Sequence, residues 1–231
     1  MIVVIGSPIG RLVDGATFAG GMAARVALAA ASSGRTVQLV GRTGDDAIAD
    51  AVVLDLAGGG VGHVALLRDP ARATPVEVGT EEGEADAAGT LDGDEADAET
   101  DAVSQGEGPV ATPGPALEPA DVDLGLRYLT DFKVVVLAEP SDPATIAIVA
   151  DAVRWADARL VLVLGAGKRM PDGLPDDAVV FEAPTDDPDG AFATLVGTFT
   201  AAVDGGTDPG PAFRASIASD GWTEAAETEG V

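Results

Sequence analysis

The chain has no cysteine and only one histidine among its 231 residues. Without cysteine it cannot form disulfides, thiolate metal ligands or a cysteine nucleophile. The single histidine, His63, cannot build a multi-histidine zinc site, and we interpret it as structural rather than as part of a serine–histidine relay. No apolar run approaches the roughly 18–20 residues that span a bilayer. The opening residues MIVVIGSP lack the basic start of a signal peptide, so we expect a soluble, cytoplasmic protein with no metal site.

Positive charge is scarce, because 13 Lys and Arg stand against 39 Asp and Glu and leave a net charge of −26. This excess repels nucleic-acid phosphates and anionic lipids, so neither nucleic acid nor a membrane surface is expected as a partner. The only lysines are Lys133 and Lys168. Acidity with few lysines resembles halophilic proteins, in which salt screens dense like charge. A GC-rich genome, which favours Arg, Ala, Gly and Asp over Lys, is the alternative explanation.

Common phosphate-binding signatures are also missing. There is no GxxxxGK[ST] motif, which excludes a Walker-type nucleotide site. Gly6 and Gly10 follow a predicted strand with the spacing GxxxG, not GxGxxG, and we interpret them as a turn at the end of that strand. The GxSxG motif of serine hydrolases is absent as well.

Residues 80–115 differ in composition from the rest of the chain. They contain almost nothing large and apolar, and eleven acids lie between Glu81 and Glu107. Such a segment cannot offset its ordering entropy by burial, which predicts a disordered acidic insertion. It is either a solvated spacer or an acidic interaction segment. Residues 1–79 and 116–222 are then one domain, followed by a frayed tail over 223–231.

Outside this insertion, short apolar runs alternate with longer helical patterns, which predicts an α/β fold with a mostly parallel sheet. Asp45 is the predicted N-cap of the second helix after a loop at 41–44, and Ser141 or Asp142 is the predicted cap before Pro143. Strands are predicted at 2–5, 36–40, 61–67, 75–78, 132–138, 160–164 and 179–181. Helices are predicted at 22–34, 45–56, 121–129, 143–156, 191–203 and 211–219.

Four segments, in order, resemble the ribokinase or PfkB carbohydrate kinase family. They are VVIGSPIGRLV near the start, FAGGMAARVALAAASSGRTVQLVGRTGDDAIADAVVLDLAGGGV at 18–61, ADVDLGLRYLTDFKVVVLAEPSDPATIAIVADA at 120–152 and DPDGAFATLVGTFTAAVDGGTDPGPAF at 187–213. The second is similar to the family's GGxxxN helix and VGxxGDD turn, and the last to its GAGDAF signature. A second register places the last segment at a mid-domain strand of the family. The resemblance implies a three-layer ribokinase-like domain, with ATP, Mg²⁺ and a sugar as ligands of an active member.

The sequence departs from the family at the positions that carry its chemistry. Arg11 stands where the family has an Asp that binds sugar hydroxyls, and Arg25 stands where it has an Asn ligand. The span from Leu12 to Phe18 is expected to be too short for the β-strand lid that covers the sugar. The GAGD signature falls on residues 187–190, Asp-Pro-Asp-Gly, so the catalytic base aligns with a glycine.

These departures predict a degenerate, truncated sugar-kinase homologue that has lost phosphotransfer and acts as a small-ligand-binding or regulatory protein. Arg11 and Arg25 are the expected ligands of a small anion at the mouth of the sheet. Gly20 and Gly21 either let the first helix pack closely or let backbone approach a sugar. One alternative is an active carbohydrate or nucleoside kinase with Asp189 as a displaced base, and only this case requires ATP and Mg²⁺. The other is a structural subunit that pairs as a homodimer or with a protein partner.

Overall fold

The computed structural model describes residues 1–78, 114–140 and 142–219 of the chain. Within these ranges all the predicted strands and helices are present, and two further strands lie between the first strand and the first helix. The strands are β1 (Ile2–Ile5), β2 (Ile9–Val13), β3 (Ala16–Gly20), β4 (Val37–Gly44), β5 (Val61–Asp69), β6 (Val76–Val78), β7 (Val134–Ala138), β8 (Arg159–Leu164) and β9 (Val179–Glu182). The helices are α1 (Gly21–Ser32), α2 (Ala47–Gly58), α3 (Pro119–Tyr128), α4 (Pro143–Ala156), α5 (Ala191–Asp204) and α6 (Pro209–Ser219).

A six-stranded sheet in the order β5-β4-β1-β7-β8-β9 forms the middle layer, and each neighbouring pair is parallel. Alternate residues of β1 point to opposite faces: Ile2 and Val4 join one buried cluster, and Val3 and Ile5 join the other. The first cluster packs under α1, α2, α5 and α6, and the second under α3 and α4. The predicted three-layer α/β architecture is therefore confirmed.

A second, three-stranded sheet in the order β3-β2-β6 was not expected. Strands β2 and β3 form an antiparallel hairpin, and β6 adds parallel to the other edge of β2. Asp14 and Gly15 make the turn with φ of 50° and 78°, the positive values that a tight two-residue hairpin needs. The expectation that the span from Leu12 to Phe18 is too short for strands of this kind is wrong, because two turn residues suffice.

The predicted loop at 41–44 is also wrong, since these residues extend β4 to Gly44 and pair with the end of β5. Gly41 and Gly44 suggested a loop, but here they allow neighbouring segments of backbone to approach the strand closely. A Cβ on Gly41 would lie 2.5 Å from the Gly6 carbonyl oxygen, and one on Gly44 would lie 2.6 Å from the Thr74 nitrogen. The strand therefore continues where only glycine fits.

Asp46, not the predicted Asp45, caps helix α2. Its carboxylate accepts hydrogen bonds from the Ala49 N–H at 2.8 Å, the Thr74 N–H at 2.7 Å and the Thr74 hydroxyl at 2.9 Å. Burial alone would raise the pKa of Asp46, but the hydrogen bonds from Thr74 and Ala49 and the nearby Arg68 outweigh it and lower the pKa below 3.8. One side chain thus fixes both the start of α2 and the segment that leads into β6.

Helix α4 begins as predicted, with Asp142 accepting from the Ala144 N–H and Pro143 in the first turn. The predicted acidic insertion extends to Pro115, but Pro115 is buried and Gly114 is half-buried. Residues 80–113, Ser141 and the predicted tail lie outside the described residues. Among the described helices, none combines the length and apolar character needed to cross a membrane.

Candidate functional site

The centre of the large sheet is a topological switch point. From β1 the chain moves outward through β4 and β5, then returns to the other side of β1 as β7 and continues to β8 and β9. In open parallel sheets, ligands bind in the crevice outside the carboxyl ends of the strands at such a point. Strands β1 and β7 end there at Ile5 and Ala138. The fold therefore places its candidate site between these two strand ends.

Two adjoining cavities of about 360 and 430 Å³ lie in this crevice. Each has the size of a small-molecule site. They share the residues Ile9, Gly21, Met22 and Glu139. The first extends along the ends of β1 and β7, toward Ser7, Pro115 and Thr145. The second extends under the three-stranded sheet, where Arg11, Arg25 and Glu77 meet the loop at 184–188.

The structure brings the two predicted site arginines to the same cavity, although they come from different elements. Arg11 lies on β2, directly opposite Glu77 of β6, and donates a 3.2 Å hydrogen bond to the Pro188 carbonyl oxygen. Arg25 lies on α1 and donates to Glu77 at 2.7 Å and to the Asp187 carbonyl oxygen. Both arginines therefore hold the loop before α5, and Arg25 is paired with an acid within the chain.

Gly20 and Gly21 allow α1 to start directly beneath the three-stranded sheet. Gly21 has φ of +77°, and a Cβ on Gly20 would lie 2.7 Å from Glu77 Oε1 and 3.0 Å from the Arg11 Cβ. Glycine is therefore favoured at both positions, at Gly21 by the positive φ and at Gly20 by the close approach of Arg11 and Glu77. Gly21 also lines both cavities, so its backbone faces the space where a ligand would lie.

The amino terminus of α5 is occupied by a side chain of the protein itself. The Asp187 carboxylate accepts hydrogen bonds from the Phe192 N–H at 3.0 Å and the Ala193 N–H at 3.1 Å. Gly190 precedes the helix with φ of 71°, a conformation that favours glycine. Asp187 is therefore the acidic cap of α5, and its carboxylate fills the position at which a helix amino terminus would receive a ligand anion.

Asp189, the predicted displaced base, is exposed in the turn before α5 and lines neither cavity. His63 is likewise exposed, on the edge strand β5. Among the described residues no three His, Asp or Glu side chains are grouped closely enough to hold a metal ion. The one predicted base, Asp189, is therefore not placed at the cavities.

Acids outnumber cations in the second cavity. Its ionisable side chains are Arg11, Arg25, Glu77, Glu139, Asp186 and Asp187. Sequence reasoning missed Glu77 and Glu139. Glu77 lies on a strand whose pairing with β2 no local pattern reveals, and Glu139 follows directly after a predicted strand, which is the one signal that could have identified it.

No family model matches the sequence, and a comparison with curated proteins finds no match. Solved structures do match. The chain superimposes on an Arabidopsis thaliana ribokinase complexed with ribose and ATP at 17% identity and a TM-score of 0.61, covering 95% of this chain and 90% of that one. An E. coli protein assigned as a ribokinase II matches at 13% identity and a TM-score of 0.62, covering 95% and 91%. The chain therefore has the ribokinase-like fold.

Proposed function

We propose that this ribokinase-fold protein binds a small molecule in the switch-point cavities and transfers no phosphoryl group. The cavities lie where the architecture places ligands, and their polar walls come from separate elements of the fold. The loss of phosphoryl transfer is inferred from one observation: the Asp187 carboxylate accepts hydrogen bonds from two N–H groups at the start of α5.

Phosphoryl transfer needs free N–H donors at a helix amino terminus and cations beside them, because negative charge spreads over the transferred group. Here two of those donors already bind a carboxylate, and Pro188 has no N–H to offer. Asp186 and Asp187 add negative charge on the same loop. A triphosphate at this turn would meet repulsion from both acids and would have to displace Asp187 from the helix.

The residues present also do not fit Mg²⁺ and ATP. No described group of carboxylates is arranged for a divalent cation. Of the two arginines at the turn, Arg25 is already paired with Glu77, and Arg11 donates to the Pro188 carbonyl oxygen. Asp189, the predicted displaced base, lines neither cavity.

The charge of the second cavity favours a neutral, hydroxyl-bearing ligand over the anion expected from Arg11 and Arg25. Glu77 and Glu139 offer acceptors to ligand hydroxyls. A sugar or nucleoside has this chemistry, and solved ribokinases share the fold.

The direct test is a thermal-shift screen of the full chain in molar KCl with neutral sugars, nucleosides, sugar phosphates and Mg-ATP, alongside an assay for ADP release. We expect a neutral polyol to raise the melting temperature by several degrees, since a ligand at about 100 Kd contributes about 2.7 kcal/mol. ADP release that depends on a sugar would refute the loss of transfer. Stabilisation by phosphorylated ligands alone would refute the neutral-ligand assignment, and no stabilisation by any ligand would favour a protein partner.

A variant that blocks the cavities tests whether the ligand that raises the melting temperature binds there. Met22 lines both cavities, so Met22→Trp should fill them and abolish the shift. Met170→Trp is the matched control, because Met170 is 55% exposed and lines neither cavity. A ligand response that survives Met22→Trp in a variant that still unfolds cooperatively would place the binding site elsewhere. Glu139→Gln tests the same cavities with a smaller change.

A further inference from the structure

The two most exposed aromatic side chains of the described residues lie on α3 and α4, the helices that cover one face of the large sheet. Aromatic residues are only 4% of the sequence, with two Trp and one Tyr. Yet Trp155 of α4 is 92% exposed and Tyr128, the last residue of α3, is 78% exposed. Leu124, one turn before Tyr128 on the same face of α3, is 49% exposed. A chain that uses aromatic residues so sparingly leaves two of them in solvent on neighbouring helices, as at protein–protein interfaces.

These helices border a groove of about 810 Å³, larger than either switch-point cavity. Its apolar lining includes Leu126, Leu129, Phe132, Ile148, Ala152 and Trp155. The groove lies on the opposite side of the sheet from α1 and α5, whose residues contact the loop at 184–188 beside the second switch-point cavity. An apolar groove between two helices can accept the apolar face of a third helix.

The rim of the groove is acidic. Its ionisable residues are Asp123, Arg127, Asp131 and Asp151. The one cation, Arg127, is already paired with Asp123 at 2.8 Å. Asp151 is 82% exposed and pairs with Arg154 at 3.0 Å, whereas Asp131 has no ion pair among the described residues. The lining therefore carries three acids against one cation around an apolar floor, and Asp131 is its carboxylate without an ion pair.

This charge excludes the occupants that the chain itself could supply. A second copy would bring an equally acidic rim against the first, in a protein of net charge −26. Residues 79–113 carry eleven acids and no Lys or Arg, and residues 220–231 carry four acids and no Lys or Arg. A fitting occupant must be apolar on one side and basic beside it.

We propose that the α3–α4 groove docks a basic amphipathic helix of another protein. The apolar face of that helix would cover Trp155 and the groove floor. Its Lys and Arg side chains would meet Asp131 and would compete with Arg154 for the exposed carboxylate of Asp151. The groove does not share lining residues with the switch-point cavities, so this interaction is independent of the proposed ligand.

Trp155 itself reports the interaction. In a Trp222→Phe variant it is the only tryptophan, and its emission should start at long wavelength because the ring is exposed. The probe is a Leu/Lys amphipathic helix of about four turns. We expect it to shift the emission of Trp155 to shorter wavelength and to protect the ring from iodide. A Leu/Glu helix of the same pattern and a Leu/Lys peptide of scrambled pattern should do neither.

Two sets of variants test the residues. Asp131→Asn with Asp151→Asn should weaken binding about fivefold at low salt, whereas the matched pair Asp172→Asn with Asp176→Asn, exposed acids away from the groove, should change it less than about twofold. With a labelled peptide, Trp155→Ala should weaken binding about tenfold and Leu54→Ala, an exposed apolar residue of α2, should not.

Three results would overturn the proposal. Equal weakening by both acid pairs, or equal binding of the scrambled peptide, would mean that general charge attraction explains the association. A blue shift of Trp155 with rising protein concentration and no peptide would make the occupant a second copy. Failure of the Leu/Lys helix to alter the emission at any accessible concentration would mean that the groove does not accept a basic helix.

Discussion

Replacing Asp46 by alanine should destabilise the protein far more than replacing its neighbour Asp45. The Asp46 carboxylate caps α2 through Ala49 and also accepts both the N–H and the hydroxyl of Thr74. Asp45 is 61% exposed and lies 3.7 Å from its one charged partner, Arg68. The two aspartates are adjacent in sequence, but they share almost none of their contacts.

The magnitude follows from those contacts. Loss of an N-cap acceptor costs about 1 kcal/mol. Thr74 is 4% exposed, so its N–H would lose its partner inside the protein at a cost of about 1–3 kcal/mol. Asp46→Ala should therefore lower the free energy of unfolding by roughly 2–4 kcal/mol and the melting temperature by roughly 5–15 °C. Asp45→Ala should stay within about 0.5 kcal/mol.

The effect should also depend on pH. The pKa of Asp46 in the folded protein lies below its ordinary value of 3.8, because its hydrogen bonds favour the charged form. Its stabilisation is then fully present above the unfolded pKa and is lost as pH falls through the folded pKa. The difference between wild type and Asp46→Ala should hold from neutral pH down to about pH 4 and shrink below it.

Urea unfolding followed by circular dichroism at several pH values measures both quantities. An Asp46→Ala loss under about 0.5 kcal/mol, or an equal loss for Asp45→Ala, would refute the assignment of the cap and of its link to Thr74. A difference that grows on acidification below about pH 4 would refute the lowered pKa.

Two further predictions concern the packing of α5. Gly197→Ala would place a Cβ 2.5 Å from the Ala29 Cβ and should cost about 1–3 kcal/mol in urea unfolding, whereas Gly58→Ala, with nothing within 4 Å, should be neutral or stabilising by up to about 1 kcal/mol. Equal effects of the two would contradict the close contact of α1 with α5. Phe199→Ala removes a fully buried ring 5.1 Å from that of Phe181 and should cost about 3–5 kcal/mol in the same assay, against less than half of that for Phe213→Ala at 41% exposure.

The layered core follows from local patterns in the sequence. Runs such as Ile2–Ile5 and Leu160–Leu164 are apolar on both faces and have the length of buried strands, and the structure places both in the central sheet. Asp142 and Pro143 mark the start of α4 because capping and proline act within one turn of helix. These patterns act within a single strand or a single helical turn, so each can be recognised from the local sequence.

The errors arose where a distant contact decides the local conformation. Gly41–Gly44 suggested a loop, yet the segment is a strand because β5 pairs with it and only glycine fits beside Gly6 and Thr74. Asp45 and Asp46 are equivalent as caps in sequence. Thr74, 28 positions along the chain from Asp46, distinguishes them.

For the candidate site, local sequence identifies the candidate residues: the departures at Arg11 and Arg25, the glycine pair at 20–21 and the acidic turn at 187–190. It does not reveal that Arg11 and Arg25 both bind that turn, across sequence separations of 177 and 162 residues, or that Asp187 occupies the start of α5. The physical reason is that a hydrogen bond depends on position in space within a few tenths of an ångström. Residue type fixes which groups can donate or accept, but only the packed layers bring a donor and an acceptor together.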